Sequence, residues 1–335
     1  MPVTSIFIES ERYNKKVKMS TMILTHGDCD GICAGAIALT RFPKSDVFFT
    51  RPSSFFDDLR NIDADRIIIL DIALNKPDIP NILEWFKRSD SEILYFDHHP
   101  LSDETRKSIE KTIDVFVHQY NVSTSELIYR YFQKDIPRER VWIAIYGAIG
   151  DYSDDTPFVK ERILNWDRRA LYFEVSTITL GIKNDEFSDY DSKRRIVSTL
   201  AEGRNPSDVP GLVKSAKEAV NREFELYRVI KKKAKSIGSV GYILDLPSFG
   251  FRGPSALFAA TVTNKPVGIS AHTREKYIDI TIRTRDYSLS LNDLAERSAE
   301  FVGGSGGGHP HAAGAKIPKG SFQEFLKKFN ELLGR

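Results

Sequence analysis

Five short apolar runs, at 21–26, 46–51, 66–72, 92–98 and 114–118, alternate with helix-like stretches at 31–42, 53–62, 79–89 and 101–112. Runs this short cannot bury themselves alone. Alternation with amphipathic stretches of helical period predicts a mostly parallel sheet covered by helices on both faces. Residues 137–150 read as a further buried helix, opened by Pro137 and broken at Gly150-Asp151. Residues 158–200 read as helical and charged, and 203–206 as a turn. A long pattern over 206–236 then ends in Lys231, Lys232, Lys233 and Lys235. That lysine run is a solvated helix end or a nucleic-acid patch, and the helix dipole favours the first. A second alternation follows, with strands near 240–246, 266–272 and 277–284 and helices near 253–263, 290–300 and 321–333. The expected architecture is α/β throughout. A domain at 21–205 with a mostly parallel sheet leads through a connecting helix at 206–236 to a smaller α/β domain at 237–335, after an N-terminal extension at 1–20.

A chain of 335 residues exceeds a typical single domain, which agrees with two. A net charge of +2 argues against a broad basic surface for long duplexes. The two cysteines, Cys29 and Cys33, fit neither a zinc pattern nor a disulfide framework, which predicts a reducing compartment. The N-terminus lacks a signal-peptide pattern, and no stretch approaches the roughly 20 apolar residues of a membrane span. A cytoplasmic protein without a membrane partner is the expectation.

The segment Thr25-His26-Gly27-Asp28-Cys29-Asp30-Gly31 places two carboxylates and an imidazole where a strand gives way to a helix. In open α/β sheets that edge binds ligands. A helix cap accounts for one aspartate, not for both and a histidine. Three other apolar runs end likewise, at Asp71, at Asp97-His98-His99 and at Asp151. Carboxylates converging on one sheet edge carry negative charge that is costly without a cation; the alternative is surface groups that never meet. Mixed imidazole and carboxylate donors suit Mn²⁺, Zn²⁺ or Fe²⁺ better than Ca²⁺. The donors are too many for one ion, and a pair about 3.5–4 Å apart favours in-line phosphoryl hydrolysis. Near the C-terminus, Gly303-Gly304-Ser305-Gly306-Gly307-Gly308 runs directly into His309 and an apolar strand, which reads as an anion-binding loop with a histidine donor rather than a linker. Arg283 is the foremost basic candidate, with Arg252 and Arg285 behind it; His311 reads as a surface residue.

Asp97-His98-His99 resembles the signature of the DHH phosphoesterase superfamily. Gly306-Gly307-Gly308-His309 with Ala312-Ala313-Gly314 resembles the glycine motif of its DHHA1 partner domain, and residues 26–31 resemble the first DHH motif in its RecJ-like form. The resemblance implies Asp71 as a ligand bridging two ions, His26 and Asp28 on the first, and Asp30, His98 and Asp151 on the second. It implies that Asp97 orients the following imidazole, that His99 faces the substrate phosphate, and that Arg283, Gly307, Gly308 and His309 hold substrate. His26 stands two residues before Asp28, against four in the pyrophosphatase-like branch. Asp155 competes with Asp151, which is preferred because it ends the apolar helix directly. The implied cofactor is Mn²⁺, two per chain, with Mg²⁺ or another divalent ion as substitutes. The implied activity is RecJ-like or nanoRNase-type hydrolysis of short single-stranded RNA or DNA, or of linear dinucleotides, to nucleoside monophosphates, with the second domain closing over the substrate. Rivals are a cyclic-dinucleotide phosphodiesterase, a bisphosphonucleotide phosphatase and, from another class, a Cdc45-like non-catalytic replication partner. A homodimer and a replication or repair partner are compatible associations.

Overall fold

The computed structural model describes residues 19–246 and 251–334. The extension read at 1–20 therefore lies, through residue 18, outside the described residues. In chain order the first elements are β1 (Thr21–His26), α1 (Cys29–Arg41), β2 (Asp46–Thr50), α2 (Phe55–Leu59), β3 (Arg66–Leu70), α3 (Ile79–Arg88), β4 (Glu92–Asp97), α4 (Asp103–Glu110) and β5 (Val115–His118). Then come α5 (Thr124–Phe132), α6 (Val141–Gly150), α7 (Pro157–Ile163), α8 (Arg168–Gly181), α9 (Asp185–Ser188) and α10 (Tyr190–Ala201). The chain forms two compact units: one runs through Val175 and adds Tyr190–Val209, and the other joins Ser176–Asp189 to Pro210 onward.

In the first unit all five strands are parallel, in the order β2-β1-β3-β4-β5. Leu24, Ile67, Ile69, Ile93 and Tyr95 pack on one face with Phe55 and Leu59 of α2, Ile82 and Phe86 of α3, and Ile109 of α4. Ile23, Ile68, Leu70, Leu94 and Phe96, the intervening residues, are buried as well. Burial on both faces is why these strands read as unbroken apolar runs rather than as alternating ones. Cys29 and Cys33 are free and buried in α1, packing as small hydrophobes.

The second unit contains α11 (Leu212–Lys233), β6 (Lys235–Ile237), β7 (Val240–Leu244), α12 (Arg252–Val262), β8 (Val267–Thr273), β9 (Tyr277–Thr284), α13 (Leu291–Phe301), β10 (Ser305–His309), β11 (Ala312–Pro318) and α14 (Phe322–Leu333). Its sheet runs β10-β11-β9-β8-β7-β6, with β7 and β8 parallel and the other neighbours antiparallel. Ile278, Ile280 and Ile282 form its core with Ala295 and Ala299 of α13 and Phe325 and Phe329 of α14.

The α/β class matches the sequence pattern, and four details depart from it. Helix α5 lies outside the elements read from the sequence, although Ser123 and Glu126 stand at capping-box spacing and Ser123 Oγ accepts the Glu126 amide at 3.2 Å. The helix expected to run to 236 stops at Lys233, because Ala234 is extended and 235–237 pairs with β7 as an edge strand. Ser176–Asp189 packs with the second unit rather than with the expected 21–205 domain: the Asn184 side-chain amide donates to the Ser215 carbonyl at 2.9 Å and Ser215 Oγ to the Gly181 carbonyl at 2.9 Å. Finally, the glycine-rich segment is not a loop. Residues 305–309 are the strand β10, laddered to β11.

Ile69 sits fully buried at the centre of the parallel sheet. Ile69→Ala is expected to lower unfolding free energy by about 2–5 kcal/mol and Ile69→Val by roughly 1 kcal/mol, read from urea denaturation midpoints at unchanged slope.

Candidate metal centre

Strand register alone assembles the site. His26 pairs with Thr50, and Asp97 pairs with His118. Leu70 lies between Thr25 and Phe96, so the next residue, Asp71, falls in the row between His26 and Asp97. The carboxyl edge of the sheet therefore presents Thr50, His26, Asp71, Asp97 and His118 side by side. Strand order reverses between β1 and β3, the switch point at which open parallel sheets form a crevice.

Local backbone then aims each group. Asp71 takes the left-handed conformation, at φ 59°, while its amide donates to the Phe96 carbonyl at 3.1 Å. That turn swings the side chain off the strand direction, and aspartate is among the few residues that tolerate it. Asp28 is the N-cap of α1, with Oδ1 accepting the Gly31 amide at 3.0 Å, while Oδ2 lies 2.9 Å from His26 Nδ1. One oxygen thus caps the helix and the other is turned to His26. Asp30, one residue into the helix, is 1% exposed and accepts the Thr124 amide at 2.7 Å and the Ser125 amide at 3.0 Å, one on each oxygen. Those are the first amides of α5, so the positive end of that helix is spent on Asp30. Gly147 of α6 makes room for this packing: a β-carbon there would collide with Ser125 Oγ and lie 2.7 Å from Asp30 Oδ1.

On the β4 side, Asp97 is fully buried and its Oδ1 lies 2.8 Å from His99 Nδ1. Tyr95 Oη, donating mainly to the Ile72 carbonyl at 2.5 Å, also reaches Asp97 Oδ2 at 3.4 Å. His118 Nε2 lies 2.7 Å from the His99 carbonyl and steadies the same turn. His98 Nε2 lies 3.3 Å from Asp71 Oδ1, and its Nδ1 lies 3.6 Å from Asp151 Oδ2. Three sets of donors consequently close to within 4.8 Å: His26, Asp28 and Asp71; Asp30, His98 and Asp151; and Asp71, His98 and His99. Asp155, the rival of Asp151, is exposed and joins none of them. Side-chain exposures of 34% at His26, 49% at Asp28 and 30% at Asp151 leave one side of the cluster open above a buried floor.

The electrostatics are those of a cation site. Burial first, then the charges of Asp28, Asp30, Asp97 and Asp151, push the Asp71 carboxyl well above the usual range. Asp71 Oδ2 is buried and accepts no hydrogen bond. Burial and the neighbouring carboxylates of Asp30 and Asp28 raise Asp151 to about 8. Burial lowers His98 against the pull of the Asp30 carboxylate, a shift toward the neutral imidazole that a metal requires. Burial alone would lower His99 too, but the Asp97 carboxylate raises it to about 9. A buried acceptor with no donor, a neutral imidazole and surplus carboxylate fit a divalent cation. The residues missed in the sequence were the supporting ones: Thr124 and Ser125, whose backbone amides matter, and His118 and Tyr95.

In the second unit, Arg283 of β9 pairs with Ala312, which pairs with His309; two rows further, Thr281, Gly314 and Gly307 align. Side chains two apart share a face, so Arg283 stands beside a floor of small residues. Gly307 has φ 155° and open space where a β-carbon would be. Gly308, at φ 136°, would place one 2.7 Å from the Ala312 carbonyl oxygen. The side chain of His309 lies outside the described residues. Arg252 is engaged with Asp279 at 3.3 Å, and Arg285 and His311 are exposed.

Among the described residues no helix is long and apolar enough to cross a membrane. No curated protein matches the chain by sequence. Among solved structures, the DHH domain of a member of a family of ribosomal proteins has a TM-score of 0.70 at 16% identity, over 94% of this chain and 86% of that one. RecJ from Thermus thermophilus in complex with Mn²⁺ has a TM-score of 0.65 at 16% identity over 95% of this chain, which spans only 52% of RecJ. The pGpG-specific phosphodiesterase PggH from Vibrio cholerae has a TM-score of 0.58 at 15% identity, over 94% of this chain and 99% of that one. At such identities the likeness shows the fold alone. Family models are more specific: residues 20–149 match the DHH family N-terminal domain and residues 256–335 match the DHHA1 domain. With both domains present in order, the chain belongs to the DHH family in its DHHA1-bearing form.

Proposed function

We propose that this protein is a divalent-metal-dependent phosphodiesterase that trims short single-stranded oligonucleotides or linear dinucleotides to nucleoside monophosphates. The observation that carries the reading is Asp71, a buried carboxylate shared by two of the three donor sets, with one oxygen that accepts no hydrogen bond. His26, Asp28 and Asp71 would hold one ion, and Asp71, Asp30, His98 and Asp151 a second, with Mn²⁺ favoured by the imidazoles. When bound, such a pair supplies water activation and charge neutralisation at the leaving oxygen.

The chain's own groups do the rest. Asp97 takes His99 Nδ1 and leaves Nε2 as the ring nitrogen that donates to a phosphate oxygen, with the proton held up to about pH 9. The exposed edges of His26, Asp28 and Asp151 admit the substrate, while Asp30 and Asp97 stay in the closed floor. Arg283, Gly307, Gly308 and His309 of the second unit bind the phosphate chain, the glycines by letting it approach the backbone closely. A near-neutral charge of +2 supports short substrates over long duplexes. The three converging donor sets favour an enzyme over a Cdc45-like non-catalytic partner.

Asp71→Ala is expected to abolish hydrolysis and to lower bound Mn²⁺ from about two ions to below one per chain; unchanged metal content by elemental analysis would defeat the bridging role. A panel of 2-mers to 24-mers, cyclic dinucleotides and 3′,5′-bisphosphates, assayed with Mn²⁺ and with Mg²⁺, decides between the proposed substrates and their rivals, with the 2-mers to short oligomers expected to be cleaved fastest.

The His99 proton gives a second expectation. Its raised pKa means that the stabilisation it lends is full below pH 6.5 and is lost as pH rises toward about 9. In Asp97→Asn the lowering by burial goes largely uncompensated, so NMR titration of the metal-free protein should place His99 at or below the ordinary histidine range. A third concerns the β10 floor: Gly307→Val should leave metal content unchanged while kcat/KM for a short oligonucleotide falls about 10- to 1000-fold, as for a lost charge-assisted contact.

A further inference from the structure

Between His26 and Asp28 the chain has glycine, and the head of a lysine occupies the space beside it. A β-carbon on Gly27 would lie 2.7 Å from Lys193 Nζ, 3.5 Å from its Cδ and 3.6 Å from its Cε. The ammonium is thus seated on the backbone of the turn that carries one set of metal donors, in space that any side chain at 27 would claim. Lys193 is half-buried on α10, and a helix rather than a loop delivers it. Ile196 and Val197 bury the inner face of α10, which packs on α1. The Tyr190 ring packs on Phe49 of β2 at 5.7 Å, and Arg194 Nη1 donates to the Val47 carbonyl at 3.3 Å. The Lys193 ammonium also lies 5.9 Å from the centre of the Tyr190 ring.

The turn that this ammonium sits against joins His26 to Asp28, whose side chains are 34% and 49% exposed. An anionic substrate approaching there meets carboxylates first, and charge on its phosphate oxygens must be countered as the ester bond breaks. We propose that Lys193 is a catalytic residue that contacts a non-bridging oxygen of the phosphate under attack, and that Gly27 is glycine to keep that ammonium in place. This rests on the phosphodiesterase reading above. A lysine suits the task because its ammonium acts as a compact point charge.

The experiment is a double-mutant cycle on the Mn²⁺-loaded protein, with Lys193→Ala, Gly27→Ala and the pair. Lys193→Ala should lower kcat/KM for a dinucleotide by about 100-fold, with the loss in kcat. Mn²⁺ affinity by calorimetry and the thermal midpoint should stay near wild type. Gly27→Ala should cost nearly as much in the wild-type background and little once Lys193 is gone, because both changes displace one ammonium. A lysine that only offset the carboxylates would shift Mn²⁺ affinity instead. Wild-type turnover in Lys193→Ala, or an equal cost of Gly27→Ala in both backgrounds, overturns the proposal. Binding of a nucleoside 5′-monophosphate to the loaded protein, weakened at least 10-fold by Lys193→Ala, separates the two readings. If the wild type cleaves no phosphodiester, the reading of function fails; if it cleaves but Lys193→Ala binds the monophosphate normally, this inference alone fails.

Discussion

Asp71 sits within the reach of four other carboxylates, out of water, at the end of a buried strand. Two like charges about 4 Å apart at an effective dielectric of about 20 repel by about 4 kcal/mol. The neighbouring structure answers that repulsion group by group. Asp28 has the Gly31 amide and His26, Asp30 has two amides of α5, Asp97 has His99, and Asp151 has Ser153 Oγ at 2.9 Å. Asp71 has a 3.4 Å contact from Thr124 Oγ1 and the imidazoles of His98 and His26, at 3.3 and 3.8 Å, all longer than the contacts its neighbours keep. The unmet demand is concentrated on the one residue that faces both sides of the cluster. A divalent cation is the natural way to meet it.

That concentration follows from a parallel sheet. Parallel strands all end at one edge, so residues that finish different runs come into one row, and the order β2-β1-β3 opens a crevice beside it. The helices then serve the row rather than merely covering the sheet. Helix α1 is capped by one aspartate and carries another in its first turn. Helix α5 turns its uncompensated amides on the second, and α6 packs against both only because residue 147 has no side chain.

The second unit solves a different problem by different means. Its sheet is mostly antiparallel, so it cannot gather strand ends into one row; it offers a face instead. Glycines in β10 and β11 leave that face low beside Arg283, and the strand ladder holds them in one geometry. A flexible loop of the same composition would have to be ordered each time an anion arrived.

Much of this was legible from residue order. Apolar runs closed by Asp71, by Asp97-His98-His99 and by Asp28 announced both the sheet and the edge at which these side chains gather, because buried parallel strands must be apolar throughout and their polar ends must point the same way. The capping pair Ser123 and Glu126 is an equally legible signal, and it marks a helix that the apolar pattern alone does not reveal. Other matters lay beyond any local pattern. Nothing near residue 193 marks it as a neighbour of residue 27, and nothing in a run of glycines distinguishes a strand from a loop until the partner strand is in place. The preference for Asp151 over Asp155 became geometry only when α6 was docked against His98. The sequence by itself determined which elements form and which side chains stand at their ends, since burial and period act along the chain. Tertiary structure alone decided which of those ends meet, which donors each carboxylate keeps and which is left without one, since those are distances between segments far apart in the chain.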